Sequence, residues 1–378
     1  MKRLLLLGGG HAHVHVLKSL AESPAQSPTE LPDELLDDDV EVTLLSPYAR
    51  QVYSGMLPGW IAGHYALDQC VIPLAPLCRA AKVRFVETAA AALDPVARMV
   101  RGGNGEEFGY DLLSIDTGPV ADMSMVPGAA EHAISVRPIE NFIQSFKRLA
   151  VDVDARTKAG KSTAIAFVGA GAAGIELALS MQHAFRDRKV SFTLISAANT
   201  LPGKVGPRIA RIIRQRGFGI LAGQAAVRID AGRVHLQNGA VVEADHIVFS
   251  TGATAAAWPR QSGIETDERG FILINEHLQS LSHADVFAAG DCATMADHVR
   301  PKSGVYAVRA GPPLAENLRR ALRGEALQRY VPQRNSLYLI STGDKYAIAS
   351  WGGFSWQGAW VWRWKDRIDR AFMDKYST

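Results

Sequence analysis

Two strand–turn–helix units with glycine-rich turns constrain this chain more than any other feature. In the first, an apolar strand over residues 3–7 leads into three glycines, residues 8–10, and a helical pattern begins at His11. In the second, the strand AIAFVG leads into GAGAAG and a helix, and another strand follows over residues 190–195. This order is typical of a parallel, doubly wound sheet. Because the units lie about 160 residues apart, the sequence predicts an α/β fold with two Rossmann-like dinucleotide-binding domains.

The second turn carries the complete fingerprint G-x-G-x-x-G. Gly169 permits the tight turn, Gly171 lets the backbone approach a diphosphate, and Gly174 lets the helix pack closely on the strand. The helix that begins there directs its first amides and its positive dipole end at phosphate groups. The motif, with a strand on either side of it, therefore indicates a nucleotide site.

The first turn departs from this pattern at one position. Gly8 and Gly10 fill the first two places, but His13 stands where the third glycine belongs. We therefore expect either a wider gap between helix and strand or a His13 side chain that points away. His11 and His15 have the spacing of two metal ligands on one helix face, but a metal would compete with a nucleotide for this turn. We expect no metal site.

The residue that usually binds the ribose hydroxyls is missing from both units. The strands after the two helices end at Ser46 and Ser196, where a carboxylate is typical of this kind of site. Lys204 and Arg208 follow the second strand and are candidates to accept a 2′-phosphate. The choice between NADH and NADPH stays open.

The composition limits the class of protein. The 378 residues are 47% hydrophobic and carry a net charge of only +3, which argues against a nucleic-acid partner. Three cysteines without paired spacing favour a reducing, cytoplasmic compartment, and no apolar run reaches the roughly 18 residues of a transmembrane helix. Residues 21–39, rich in Pro, Ser and acidic side chains, are predicted to form a solvated insertion.

Further motifs complete a family pattern. Strand ends are marked by Thr117-Gly118 and Thr251-Gly252, and AAGDCATM follows later in the chain. With both glycine turns, residues 1–330 resemble the FAD-dependent pyridine nucleotide-disulfide oxidoreductase superfamily. The segments GGGHAHVHVL, YSGMLPGWIAGHY and PKSGVYAVRAGPPLAENL look like its type II NADH dehydrogenase-like branch, of which a variant is also found fused to selenide, water dikinase.

The resemblance implies a division of the chain into domains. An FAD-binding domain would comprise residues 1–115 and 245–329, interrupted by an NAD(P)H-binding domain over residues 116–244. Residues 330–378 would form a small C-terminal module with an amphipathic helix.

The resemblance also implies which residues bind the cofactors, FAD and NADH, with NADPH not excluded. Glu176 would lie near the nicotinamide and is the candidate catalytic residue, Asp291 would bond the ribitol side of the flavin, and the helix from Gly304 would point its N-terminus at the flavin pyrimidine edge. The full set of predicted cofactor-binding residues is Gly8, Gly10, His11, Ala12, Ser46, Gly55, Met56, Thr117, Gly118, Gly169, Gly171, Gly174, Glu176, Thr251, Gly252, Gly290, Asp291, Lys302, Gly304 and Val305.

The resemblance predicts an FAD-dependent NAD(P)H dehydrogenase with a quinone-like acceptor. The cysteine pair of the disulfide reductases is absent from the first helix, and Val305 and Arg309 replace two glutamines of the quinone-side motif. Two alternatives stay open. One is a selenium or sulfur acceptor for the same flavoenzyme core, and the other is a redox-sensing FAD and NAD binding protein without turnover.

The tail is unusually rich in tryptophan, with five of seven after residue 350. A helical projection separates an aromatic side from a charged side. The aromatic side comprises Trp360, Trp364, Ile368, Ala371 and Phe372, and the charged side comprises Arg363, Asp366, Arg367, Arg370 and Asp374. The pattern is compatible with a peripheral anchor on the inner face of the cytoplasmic membrane, and equally with packing on the FAD domain or on a partner in a homodimer.

Overall fold

A computed structural model describes residues 1–22, 39–201 and 205–376 of the chain. Nearly all of the predicted insertion over residues 21–39 lies outside these residues. Lys204, one of the two candidates for a 2′-phosphate, also lies outside them.

The described part of the chain combines α-helices with short strands in several sheets, which confirms the predicted α/β class. The helices are α1 (His11–Ala21), α2 (Leu57–Ile61), α3 (Leu74–Ala80), α4 (Ala129–His132), α5 (Ile139–Lys158), α6 (Ala172–Ala184), α7 (Gly206–Gln215), α8 (Trp258–Gln261), α9 (Gly304–Arg323) and α10 (Ala359–Tyr376). The strands are β1 (Lys2–Leu7), β2 (Val40–Ser46), β3 (Arg50–Val52), β4 (Val71–Pro73), β5 (Arg84–Glu87), β6 (Ala90–Asp94), β7 (Met99–Gly102), β8 (Glu107–Gly109), β9 (Leu112–Ile115), β10 (Val120–Ala121), β11 (Ile134–Ser135), β12 (Thr163–Val168), β13 (Val190–Ser196), β14 (Gly219–Ala222), β15 (Ala226–Asp230), β16 (Arg233–Leu236), β17 (Val241–Glu243), β18 (His246–Phe249), β19 (Ala253–Thr254), β20 (Ile272–Ile274), β21 (Val286–Ala288), β22 (Ala293–Met295), β23 (Tyr338–Ser341), β24 (Ala347–Trp351) and β25 (Phe354–Gly358).

The first Rossmann-like sheet has the strand order β21-β9-β1-β2-β5, and all its pairings are parallel. The four leucines at the end of β1 are no more than 2% exposed, because a central parallel strand is covered on both faces. Helix α1 packs against α9, where a side chain at Gly311 would meet the Cβ of His15 at 2.7 Å. Glycine at this position lets the two helices approach closely.

The second Rossmann-like sheet has the order β11-β18-β12-β13-β14, again entirely parallel. The predicted boundary between residues 244 and 245 would assign β18 to the first domain, whereas β18 pairs with β11 and β12 of the second sheet. Its hydrogen bonds to these two parallel strands therefore place β18 in the second sheet. The chain rejoins the first sheet with β21, so segments from both sides of the second sheet build the first one.

The C-terminal part consists of the antiparallel sheet β23-β24-β25 followed by α10. The buried residues of α10 are Val361, Lys365, Asp369, Met373 and Tyr376, a stripe with helical spacing. Of the predicted aromatic side, Trp360 is 50% and Trp364 38% exposed, whereas Phe372 stacks on Tyr53 with ring centres 4.3 Å apart. Among the residues described, no helix combines the length and apolarity that a bilayer crossing requires.

His13 occupies the third-glycine position without pointing away. Its side chain is fully buried, with Nδ1 2.6 Å from the Gly8 carbonyl oxygen and Nε2 2.8 Å from the Ser114 hydroxyl. A carbonyl only accepts, so Nδ1–H donates to Gly8 and Nε2 accepts from Ser114. Burial lowers the pKa of His13 to about 4, which keeps the imidazole neutral. The ring thus links α1 to β1 and β9 with both nitrogens satisfied.

Replacing this histidine tests its structural role. His13→Ala leaves the Gly8 carbonyl and the Ser114 hydroxyl buried without partners and opens a cavity, so the free energy of unfolding should fall by about 3 kcal/mol. Chemical denaturation measures the loss. The control His132→Ala removes an exposed histidine and should cost less than about 0.5 kcal/mol. Equal losses in the two variants would contradict the assigned role.

Candidate functional site

The first glycine turn places its backbone directly against the end of β9. Gly8 has φ +89°, and a Cβ there would lie 2.5 Å from the Asp116 carbonyl oxygen. A Cβ on Gly10 would lie 2.2 Å from the carboxyl carbon of Asp116. Only glycine fits at either position. The turn at the start of α1 is therefore free of side chains of its own, as the close approach of a diphosphate requires, although the Asp116 carboxyl group lies against it.

Asp116 is a buried residue of this turn that the sequence analysis did not single out. Its Oδ2 accepts hydrogen bonds from the backbone N–H groups of Ala12, at 2.8 Å, and His13, at 3.2 Å. Burial raises its pKa to about 7, against these two bonds. The only signal in the sequence was an acidic residue in SIDTG, at the C-terminal end of a buried strand.

The Gly290-Asp291 pair reaches the same place from the later part of the chain. Gly290 has φ +71°, and a Cβ there would lie 2.4 Å from Oδ1 of Asp116. Burial raises the pKa of Asp291, while Arg137 and Lys302 oppose that shift. The structure thus brings Gly8, Gly10 and Ala12 together with these two residues around Asp116.

Two cations and a cavity lie near the start of α9: Lys302 just before that helix, and Arg137 from the segment between β11 and α5. Lys302 donates to the Thr294 hydroxyl at 2.8 Å and to the Ala293 carbonyl, and its Nζ lies 4.0 Å from the centre of the Phe271 ring. A cavity beside the helix is lined by Gly290, Asp291 and Lys302. The half-buried guanidinium of Arg137 forms no hydrogen bond with the other described residues. Gly304 and Val305 begin α9 at this same edge.

The second glycine turn is also built for close approach, but its helix start is free. Gly169 has φ +110°, and a Cβ there would lie 2.6 Å from the Ser250 backbone. A Cβ on Gly174 would lie 2.4 Å from the Ser250 hydroxyl, whereas Gly171, which caps α6, has nothing within 4 Å. The neighbouring Thr251 hydroxyl is buried without a partner in the described structure. This arrangement fits a dinucleotide lying over the first turn of α6, with Gly252 beside it.

A cluster of polar groups lies where these parts of the chain meet, and we call it the junction cluster: Glu176, Lys365, Asp369, Tyr53 and the Gly55 carbonyl. Nζ of Lys365 donates to the Gly55 carbonyl at 2.5 Å and to Asp369 Oδ2 at 2.6 Å. The Tyr53 hydroxyl donates to Asp369 Oδ1 at 3.1 Å. The tail helix is thereby fixed to the loop that carries Gly55 and Met56, two of the predicted cofactor-binding residues, and we call this segment the predicted flavin loop.

Glu176 faces this cluster from the first turns of α6. Its Oε1 accepts the backbone N–H of Ser341 at 2.8 Å. Burial raises the pKa of Glu176 to about 7, and the charge of Lys365 opposes the shift. Burial alone would lower the pKa of Lys365. The nearby carboxylates of Asp369 and Glu176 outweigh this effect, so the pKa of Lys365 is raised. The junction cluster therefore holds a stable cation next to an acid that titrates near neutrality.

Other predicted residues lie at the margin of the site. The Ser46 hydroxyl donates to the Tyr48 carbonyl at 3.0 Å, and Met56 is 1% exposed within the core. The ring of His11 lies 5.7 Å from that of Tyr53, and its Nε2 has no partner among the described residues. Thr117 and Gly118 follow β9 after Asp116, and Gly118 has φ +70°.

Among the remaining candidates that the structure describes, which do not include Lys204, we find no metal site and no phosphate clamp. Over residues 1–22, 39–201 and 205–376, no group of three His, Cys, Asp or Glu side chains is arranged to hold a metal ion. Arg208 donates to the Ser355 carbonyl in the C-terminal sheet at 3.3 Å. The three cysteines are buried and unpaired, and burial raises the pKa of each thiol to about 12.

Comparisons with known proteins give this geometry a context. The family described as pyridine nucleotide-disulphide oxidoreductase matches residues 2–311. The NADH dehydrogenase-like protein YutJ of Bacillus subtilis is 25% identical over 341 residues, covering 88% of this chain and 87% of the relative. A type II NADH:quinone oxidoreductase of Staphylococcus epidermidis is 27% identical, with 92% and 89% covered. The sulfide:quinone oxidoreductase of Aquifex aeolicus has the same fold, with a TM-score of 0.79, 19% identity, and 100% and 91% covered.

The ion pair between Lys365 and Asp369 leads to a prediction about stability. Lys365→Met leaves the Asp369 carboxylate buried without its cation, so the free energy of unfolding should fall by about 3 kcal/mol. Denaturant titration of the full chain measures the loss. Lys375→Met, at an exposed position of the same helix, is the matched control and should change stability by less than about 0.5 kcal/mol. A loss that is the same for both lysines would speak against the pair.

Proposed function

The chain belongs to the pyridine nucleotide-disulphide oxidoreductase family, and from this premise we propose that it is an FAD-dependent NAD(P)H dehydrogenase with a quinone-like acceptor. The sequence similarity to the NADH dehydrogenase-like protein and to the type II NADH:quinone oxidoreductase supports this proposal, because it extends over most of the length of both relatives. Their identities of 25% and 27% leave the acceptor itself to experiment.

The two glycine turns fit the two dinucleotides. At the first turn, Gly8, Gly10 and Gly290 keep side chains away from the start of α1, and Arg137 supplies a nearby cation for a diphosphate. At the second turn, the open first amides of α6 suit NADH. When bound, FAD supplies the chemistry: it accepts a hydride from the reduced nicotinamide and releases the electrons to the acceptor.

One observation carries the proposal: the junction cluster spans the space between the two turns. Glu176 lies two residues after Gly174 on α6, while Tyr53 packs edge-on against His11 at the start of α1. A nicotinamide reaching from one turn and a flavin reaching from the other would meet at this cluster. Lys365 and Asp369 fix the loop that carries Gly55, which keeps that meeting point rigid.

Within this arrangement Glu176 has a positioning task. Its Oε1 already accepts the Ser341 N–H, so the side chain is held in one orientation. A carboxyl fixed at this point can accept a hydrogen bond from the nicotinamide carboxamide and align the ring. Because the pKa of Glu176 is raised to about 7, its carboxyl group can also hold a proton near neutral pH, beside the cation of Lys365.

The residues do not favour a thiol relay. Each cysteine is buried, its thiol pKa is raised to about 12, and none lies in the junction cluster. These thiols therefore argue against a sulfur or selenium acceptor that reacts through a cysteine, and the choice between turnover and redox sensing is left to the assay below.

Anaerobic reduction of the FAD-loaded protein tests the proposal. NADH, and separately NADPH, should bleach the flavin absorbance in stopped flow, and a soluble quinone should restore it within turnover time. Polysulfide and selenite are the competing acceptors. Protein that neither carries FAD nor acquires it on addition would refute the proposal, and oxidation that is slow with every acceptor would favour the redox sensor.

Glu176→Ala should slow flavin reduction by about tenfold or more, because the nicotinamide loses its alignment. Glu176→Gln keeps an acceptor oxygen and should fall between wild type and the alanine variant. The control Glu243→Ala removes an exposed carboxylate from β17 and should leave the rate unchanged. FAD content, measured by absorbance, should be the same in all four proteins. An unchanged rate in Glu176→Ala would exclude the positioning task.

We further propose that the outer surface of the C-terminal part binds a membrane, the source of a quinone. The exposed aromatic residues there are Trp351, Phe354, Trp356, Trp360 and Trp364, between 37% and 68% exposed. Phe354 stacks with Trp356, and Trp360 stacks with Trp364. Ring stacks of this kind beside exposed arginines suit the interface of an anionic bilayer.

Vesicle co-sedimentation tests this second proposal. Trp360→Ser/Trp364→Ser should weaken binding to phosphatidylglycerol-containing vesicles by about tenfold or more, since two large apolar groups are lost. Val227→Ser, which removes an exposed apolar residue from β15, serves as the control and should bind like wild type. Wild-type protein that stays in the supernatant with these vesicles would end the proposal.

A further inference from the structure

The starts of the two nucleotide-site helices differ in charge. In α6 the first turn is open, with no group near a side chain placed at Gly171. In α1 the Asp116 carboxylate already accepts the N–H groups of Ala12 and His13. Those amides are among the groups that a helix offers to a diphosphate. The first site therefore contains an anion where its ligand would bring two more charges.

Within the described structure, Asp116 has no positively charged ion-pair partner. Asp291 and the Cys292 thiol face it from the turn before β22, and the neutral ring of His13 lies on α1. Arg137 and Lys302 lower the pKa of Asp291, whereas the groups that bond to Asp116 are the backbone amides of Ala12 and His13. The two backbone bonds stabilise its charged form only in part, because burial raises its pKa to about 7.

Asp116 also has no room to withdraw. Positions Gly8, Gly10 and Gly290 surround it so closely that a Cβ at any of them would lie within 2.5 Å of one of its atoms. Its side chain is 2% exposed. A diphosphate arriving at this turn must therefore coexist with the carboxyl group at short range. Anions at such a distance raise each other's proton affinity.

We propose that Asp116 is an acid-base group of the FAD diphosphate site, and that FAD binding takes up one proton on its carboxylate. This inference rests on the FAD role proposed above. The proton comes from solvent and goes to a carboxylate oxygen, and no covalent bond to FAD is made or broken. The neutral acid then retains one acceptor oxygen for the α1 amides and gains an O–H donor for a phosphate oxygen.

The proposal predicts how the affinity for FAD changes with pH. Below about pH 6 the carboxyl is already protonated without FAD, so binding takes up no proton. Above about pH 7 the free protein has lost that proton, and the FAD dissociation constant should rise by up to about tenfold per pH unit. Asp116→Asn should remove this dependence and bind FAD at least as tightly as wild type at high pH, because the amide is neutral throughout.

Isothermal titration of FAD into the flavin-free full chain, between pH 6 and pH 9, measures both quantities. Titration in phosphate and in Tris buffers gives the number of protons taken up, since their ionisation heats differ. Wild type should change from nearly zero protons at pH 6 towards one at pH 8, and Asp116→Asn should stay near zero. Asp122→Asn changes a partly exposed aspartate just beyond β10, outside the first glycine turn, and should behave like wild type.

Each outcome decides a separate point. Equal proton uptake and equal pH slopes in wild type and Asp116→Asn would overturn the inference while leaving the FAD site intact. No FAD binding by any of the proteins would overturn the proposed function instead. If Asp116→Asn does not fold, wild type alone decides, because zero proton uptake at pH 8 rejects the proposal. Infrared difference spectra should then show a protonated carboxyl that appears with FAD.

Discussion

The buried pair of Lys365 and Asp369 is the interaction on which the proposed active site depends. It joins the tail helix α10 to the Gly55 carbonyl and the Tyr53 hydroxyl of the predicted flavin loop. It also sets the charge that Glu176 experiences from the other side. A cation inside a protein requires an anionic partner and further hydrogen bonds; here Asp369 of α10 supplies the anion, and the loop before α2 supplies the Gly55 carbonyl. The contacts that stabilise this cluster therefore also set the geometry of the proposed active site.

The sequence predicted the parts of the fold that depend on neighbours in the chain. The glycine turns, the strands before them and the helices after them follow from backbone conformations that only a few residues permit, so Gly8 and Gly169 were recognisable in isolation. The family match and the parallel sheets confirm the fold class. The domain boundaries and the roles of the site residues remain predictions, although β18 lies in the second sheet rather than the first.

What the sequence could not predict depends on residues far apart in the chain. Asp116 meets Ala12 from a distance of 104 residues, and His13 is satisfied by Ser114 over 101 residues. No local pattern announces either contact. The orientation of α10 was obscured for another reason. Its tryptophans have the spacing of a buried stripe, but a charge pair with its own partners occupies the inner face, so a pattern of apolarity could not show which side is covered.

The outward tryptophans also have a consequence for how the protein behaves in solution. Apolar surface that is grouped in one patch, rather than scattered, promotes self-association when no other surface covers it. The stacked pairs Phe354–Trp356 and Trp360–Trp364 form such a patch. The purified chain should accordingly cluster as its concentration rises and disperse in mild detergent. Self-association in solution and binding to membranes would then both result from the same exposed aromatic surface.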